Sequence, residues 1–120
     1  MNEQHPILVV EDNHDLRVCM RQVLEEAGFA VTSSTNGKDA LTQIKNGQLP
    51  KVIILDLNMP IMSGEEFLKE LKQEVDVPLI PTLLVSGDLE RLIPLKDYSH
   101  LLKPVVSEEL IARVDAYVGR

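Results

Sequence analysis

Short, wholly apolar runs alternate along the chain with segments whose apolar residues recur every three or four positions. Ile7 to Val10, Val52 to Leu55 and Leu83 to Val85 are too short for helices. They also lack the polar alternation of a half-exposed strand, so they read as strands covered on both faces. Ala30 to Ser34 predicts a weaker strand and His100 to Leu102 a fifth. From His14 to Ala27, Leu16, Cys19, Met20, Val23, Leu24 and Ala27 fall on one helical stripe, with Asn13 as N-cap and Gly28 just past the end. Cys19 is thereby expected to be a small buried residue. Asn36 caps a second helix with Ala40, Leu41 and Ile44 inward and Gly47 as its stop. Ser63-Gly64-Glu65-Glu66 matches a capping box before Phe67, Leu68 and Leu71. Pro81 suits the first position of the fourth strand. Ser107-Glu108-Glu109 opens a last helix with Leu110, Ile111, Val114 and Val118 inward, its acidic start complementing the helix dipole.

Strands alternating with helices predict parallel pairing through right-handed crossovers. The expected architecture is a doubly wound, five-stranded parallel α/β sheet flanked by helices. The chain's 120 residues make one domain, 1–120, and 44% hydrophobic residues can fill its core without a disulfide or structural metal. Cys19 is the single cysteine, which fits a reducing cytoplasm. A net charge of −7 and an aromatic content of 3% argue against a nucleic-acid-binding face. No apolar run approaches the roughly 20 residues of a membrane span, and the N-terminus has no signal-peptide pattern.

The chemistry gathers at the strand ends. Glu11 and Asp12 follow the first strand, Asp56 the third, Ser86 the fourth and Lys103 the fifth. If the strand order is 2-1-3-4-5, the first and third strands are neighbours and three carboxylates meet at the switch point, where such sheets bind ligands. Clustered anions need a cation, and hard oxygen donors suit Mg²⁺. A carboxylate beside Mg²⁺, with a lysine and a hydroxyl converging on it, is equipped for phosphoryl transfer: Asp56 as nucleophile, Lys103 on the developing charge, Ser86 on the bound group. Taken singly, each residue also reads as a cap, a turn or a solvated surface group. His5 and His14 are too isolated to be ligands, Glu25-Glu26 and Glu65-Glu66 read as solvated faces, and Met59 and Met62 as loop packing. Gly87 either permits a turn or keeps the acceptor open.

The sequence resembles the receiver domains of two-component response regulators along its whole length. The pieces that carry the resemblance are Ile7-Leu8-Val9-Val10-Glu11-Asp12-Asn13, Ile54-Leu55-Asp56-Leu57-Asn58-Met59-Pro60 with Gly64, Pro81-Thr82-Leu83-Leu84-Val85-Ser86-Gly87, and Leu102-Lys103-Pro104. The resemblance implies that Asp56 accepts a phosphoryl group from a histidine kinase or histidine phosphotransfer domain. It also implies that Glu11 and Asp12 hold Mg²⁺ with Asp56, that the backbone carbonyl of Asn58 completes the metal site, and that Lys103-Pro104 is cis. Two departures stand out. His100 occupies the usual place of an aromatic switch residue, with Tyr98 two residues too early, so Ser86 and His100 are the expected switch pair. The segment from Ser86 to Lys103 is short, and Asp88 to Ile93 allow only about a turn and a half of fourth helix before Pro94 stops it.

The function expected from this reading is that of a cytoplasmic signalling phosphoacceptor, not an enzyme, which acts on a downstream protein without binding nucleic acid or membrane. The alternative is a pseudo-receiver, never phosphorylated, that serves as a protein-binding module. A haloacid-dehalogenase-type phosphatase wants a second acid where this chain has Asn58, and a flavodoxin-like carrier wants a phosphate-cradling first loop in place of two acids. Met1 reads as a natural start, and Arg120 suits either a stand-alone regulator or a receiver cut from a longer chain.

Overall fold

The computed structural model describes residues 6–74 and 76–119. Met1, His5 and Arg120 lie outside the described residues. Five strands, β1 (Pro6–Val10), β2 (Ala30–Ser34), β3 (Val52–Asp56), β4 (Thr82–Ser86) and β5 (Ser99–Leu102), form one parallel sheet in the order β2-β1-β3-β4-β5. The helices are α1 (His14–Glu26), α2 (Gly37–Lys45), α3 (Gly64–Lys72), the single turn α4 (Leu89–Leu92) and α5 (Ser107–Val118). A 3₁₀ turn, Ile93–Leu95, extends α4.

Each strand feeds both faces because successive side chains point oppositely. Leu8, Val10, Ile53, Leu55 and Leu84 pack on one side with Ala40, Leu41 and Ile44 of α2, Phe67 and Leu68 of α3, and Leu92 of α4. Ile7, Val9, Val52, Ile54, Leu83 and Val85 pack on the other with Met20 and Leu24 of α1 and Leu110 and Val114 of α5. This double coverage is why the central strands read as unbroken apolar runs.

Local signals set the boundaries. The Asn13 side chain accepts from the Leu16 N–H, the Asn36 side chain from the Asp39 N–H, and the Ser63–Glu66 capping box is formed on both sides. Gly28 and Gly47 turn the chain after α1 and α2 at φ 97° and 92°. Four expectations need correction. Cys19 is exposed: it lies at the margin of the α1 stripe, whose buried centre is Met20 and Leu24. Pro81 stands just before β4, which begins at Thr82, and its carbonyl accepts the Ile53 N–H at 2.9 Å. Pro94 lies inside the 3₁₀ turn because α4 has already ended at Leu92. Leu71 and Val118 do pack inward, partly buried against the core, whereas Ile111 is half-buried outside both core clusters.

Candidate functional site

Because β1 and β3 are hydrogen-bonded neighbours with Val10 opposite Leu55, the residues that follow meet at the carboxyl edge of the sheet. Glu11 is fully buried and continues the β1 ladder, its N–H donating to the Ser34 carbonyl at 3.0 Å. Asp56 ends β3 and is also buried, whereas Asp12 faces solvent. Carboxylate oxygens of Glu11, Asp12 and Asp56 lie within 4.8 Å of one another. The expected cluster is assembled.

Two backbone devices hold it. The Asn13 N–H donates to Glu11 Oε2 at 3.3 Å, and the Asn58 N–H to Asp56 Oδ1 at 3.2 Å. Arg17, on the first turn of α1, donates from Nη1 to the carbonyls of Glu11 and Asp12 at 3.0 and 3.3 Å, pinning the backbone of the acidic loop. Sequence reasoning did not single out Arg17. Its signal was present in a cation one helical turn beyond two acids.

Lys103 enters from the far side of the sheet. Its N–H extends the β4–β5 ladder to the Ser86 carbonyl at 2.9 Å, and its Nζ lies 3.3 Å from Asp56 Oδ1 and 3.6 Å from Glu11 Oε1. One ammonium thus faces two buried carboxylates. Burial above all, then the hydrogen bond and the charge of Asp56, raise the Glu11 carboxyl to about 8, although Lys103 opposes the shift. Glu11 Oε1 accepts no hydrogen bond. A buried carboxylate oxygen with no hydrogen bond and an ammonium 3.6 Å away, amid three clustered acids, belongs to a donor set that suits a hard divalent cation, so the residues present fit Mg²⁺.

Ser86 is buried at the end of β4. Its Oγ accepts the Asp88 N–H at 3.0 Å and donates to the Asp88 carbonyl at 3.4 Å, so in this state the hydroxyl serves the backbone of the loop. Gly87 needs no left-handed backbone, and a Cβ there would meet only Lys103 Cβ at 3.9 Å. Its absent side chain therefore bears on the openness of the cleft more than on the turn. Lys103-Pro104 is cis, as the resemblance implies. His100 is half-buried in register with Leu84, and the Arg113 guanidinium donates to its carbonyl at 3.3 Å. Tyr98 is remote from the cleft, at the amino end of β5, with Lys72 Nζ 5.6 Å from its ring centroid.

Asp56, Ser86 and Lys103 line one open polar cleft, and Arg91 of α4 lines it with them. The guanidinium of Arg91 forks onto both carboxylate oxygens of Glu65 and also donates to the Leu57 carbonyl. This bidentate pair holds the Glu65 carboxyl below its ordinary range. Glu65 is therefore an ion-pair partner at the cleft and not merely part of a solvated face. Arg91 went unread in the sequence because a lone cation on a helix is ordinarily a surface residue.

The family model for the response regulator receiver domain matches residues 7–115. The chain belongs to the receiver domain family of response regulators. It is 33% identical over 116 residues to the transcriptional regulatory protein CpxR homolog of Haemophilus influenzae, covering 95% of this chain and 50% of that protein. It is 35% identical over 119 residues to an uncharacterized 14.6 kDa protein of Leptolyngbya boryana, covering 95% of this chain and 90% of that one. Among solved structures, the receiver resembles the Vibrio cholerae chemotaxis protein CheY4 with a TM-score of 0.83 at 25% identity, over 96% of this chain and 99% of the other. The chain spans about half the length of most of the first curated relatives it matches, several of which are transcriptional regulators. Receiver domains are signalling modules of two-component systems. Among the described residues no helix is long and apolar enough to cross a membrane.

Proposed function

We propose that this receiver is a phosphoacceptor whose acceptor is Asp56, charged by a histidine kinase or a histidine phosphotransfer domain with Mg²⁺ as cofactor. The observation that carries this reading is the approach of Lys103 Nζ to within 3.3 Å of buried Asp56, beside a carboxylate oxygen of Glu11 that has no hydrogen bond. A pure binding module has no need of so costly a cluster of buried charge.

In this reading an Asp56 carboxylate oxygen attacks phosphorus in line, the new O–P bond forming as the bond from phosphorus to the donor's imidazole nitrogen breaks. Glu11, Asp12 and Asp56, with the backbone carbonyl of Asn58, are the groups that would hold Mg²⁺. The ion, when bound, neutralises the crowded carboxylates and offsets charge on the transferred oxygens. Lys103 supplies a fixed positive charge on the acceptor. The Asn58 N–H orients Asp56, and the small Gly87 leaves the approach open. Ser86 would exchange its bonds to Asp88 for one to the phosphoryl group, moving the loop after β4 and, through it, His100. The output would be a changed surface read by a downstream protein, with no membrane contact and no direct contact of this domain with nucleic acid, in a cytoplasmic setting. Residues 1–120 would act as one domain.

Intact mass after incubation with a small-molecule phosphodonor tests the reading. A single phosphoryl adduct is expected on the wild type with Mg²⁺ and none on Asp56→Asn or in chelator. A wild type that takes up no phosphoryl group and whose amide spectrum is silent to beryllofluoride would establish the pseudo-receiver instead.

A further inference from the structure

The single turn of α4 carries a second cation into the lining of the cleft. Arg91 lies on its single turn, directly before Leu92, which is 3% exposed in the core beneath. Its Nε and Nη2 are spent on Glu65 and on the carbonyl of Leu57, the residue that follows Asp56. Its Nη1 makes no hydrogen bond to protein among the described residues. The same side chain lines the cleft with Asp56, Ser86 and Lys103.

Lys103 already answers two carboxylates, and phosphorylation exchanges the single negative charge of Asp56 for the roughly two of an acyl phosphate, a net gain of about one, with strong acceptor oxygens. The present partner of Arg91 is a weaker competitor: Glu65 is a single carboxylate whose side chain is 39% exposed, so water already solvates part of it. A guanidinium fork fits carboxylate and phosphate alike and follows the denser charge.

We propose, resting on the phosphoacceptor reading of Asp56, that Arg91 is a second phosphoryl-binding residue of this cleft. When Asp56 is modified, its guanidinium leaves Glu65 for a phosphoryl oxygen and carries α4 with it. The Glu65 fork is then the latch of the unmodified state. Because Arg91 and the buried Leu92 are adjacent on one helical turn, the exchange reports the state of Asp56 to the core under α4. This route needs no aromatic side chain at position 100.

A purely structural clamp makes a different prediction, and two variants separate them. If the fork only stiffens the cleft, Arg91→Gln and Glu65→Gln break the same contact and shift ligand affinity in the same direction. If Arg91 is shared between two anions, the variants act oppositely. The readout is beryllofluoride affinity in the presence of Mg²⁺, followed by amide NMR on the full chain, with the Arg91 Nε–H resonance as a direct reporter. Arg91→Gln should weaken binding roughly tenfold, the size of one charge-assisted hydrogen bond. Glu65→Gln should tighten it several-fold, and the wild-type Arg91 Nε–H should shift on binding. A wild type that binds while Glu65→Gln fails to tighten, or while Arg91→Gln keeps wild-type affinity, overturns the role of Arg91 alone. Should Arg91→Gln not fold, the direction of the Glu65→Gln effect decides. A wild type silent to beryllofluoride overturns the phosphoacceptor reading and this one together.

Discussion

Ile61 carries φ 70° in the loop between Asp56 and α3, and the Met62 N–H donates across it to the Pro60 carbonyl at 2.7 Å. This is the strained form of γ-turn, adopted by a β-branched residue that rarely accepts positive φ. The side chain is 75% exposed, so no burial offsets the strain. Ile61→Gly is therefore expected to stabilise the protein by about 0.5–1 kcal/mol, the relief of strain less the entropy of a freer unfolded chain. Urea unfolding checks this, and an unchanged or lower midpoint refutes it. Nothing in the sequence flagged Ile61, because an apolar residue after a proline carries no signature of its backbone angle. Asp56, Lys103 and the two acids after β1 were legible for the opposite reason: each ends an apolar run, and the edge of a parallel sheet is where polar groups converge. Arg91 and Cys19 mark the limit of such reading. A helix pattern gives the burial of its central stripe, but not of a residue at the margin or of a cation that bends back toward a cleft.

At the scale of elements, the start of α3 is fixed by contact as well as by its capping box. A Cβ on Gly64 would lie 2.7 Å from Leu57 Cα and 2.9 Å from the Asp56 carbonyl oxygen, both backbone atoms that cannot yield cheaply. The Gly64 N–H donates to the Leu57 carbonyl at 3.0 Å, so α3 is docked directly against the segment that follows Asp56. Gly64→Ala should cost about 1–3 kcal/mol through overpacking. Gly87→Ala, where the nearest contact is an ordinary one, should stay within about 0.5 kcal/mol of wild type. Paired chemical denaturation of the two variants tests the contrast, and equal midpoints would refute it. The caps of α1, α2 and α3 were readable because Asn and Ser side chains satisfy specific backbone donors at fixed spacing. The close approach at Gly64 was not, since it depends on how two elements meet in space.

For the molecule as a whole, the buried site and global stability are linked through protons. In metal-free protein, burial and the neighbouring Asp56 raise Glu11 from near 4.5 to about 8. Native protein therefore holds a proton that the unfolded chain has already released across that interval. The stability associated with this proton is complete below about 4.5 and drains away as pH rises through about 8. Glu65 works in the other direction: its carboxyl is depressed by Arg91, so its smaller, partly exposed contribution is present at neutral pH and lost on acidification. Between about pH 5 and pH 8 the metal-free melting temperature should fall, and Glu11→Gln, which cannot titrate, should flatten that fall. A divalent cation on these carboxylates requires Glu11 ionised, so binding expels the proton and the stabilisation by Mg²⁺ should grow with pH over the same interval. Thermal unfolding of wild type and Glu11→Gln, each in chelator and in saturating Mg²⁺, measures all four slopes. Parallel slopes for the two proteins in chelator would remove Glu11 as the linked group. A pH-independent increment from Mg²⁺ would place the ion away from the Glu11 carboxylate. A falling wild-type slope that Mg²⁺ flattens would tie the fold to the same carboxylate that prepares the site for its cation.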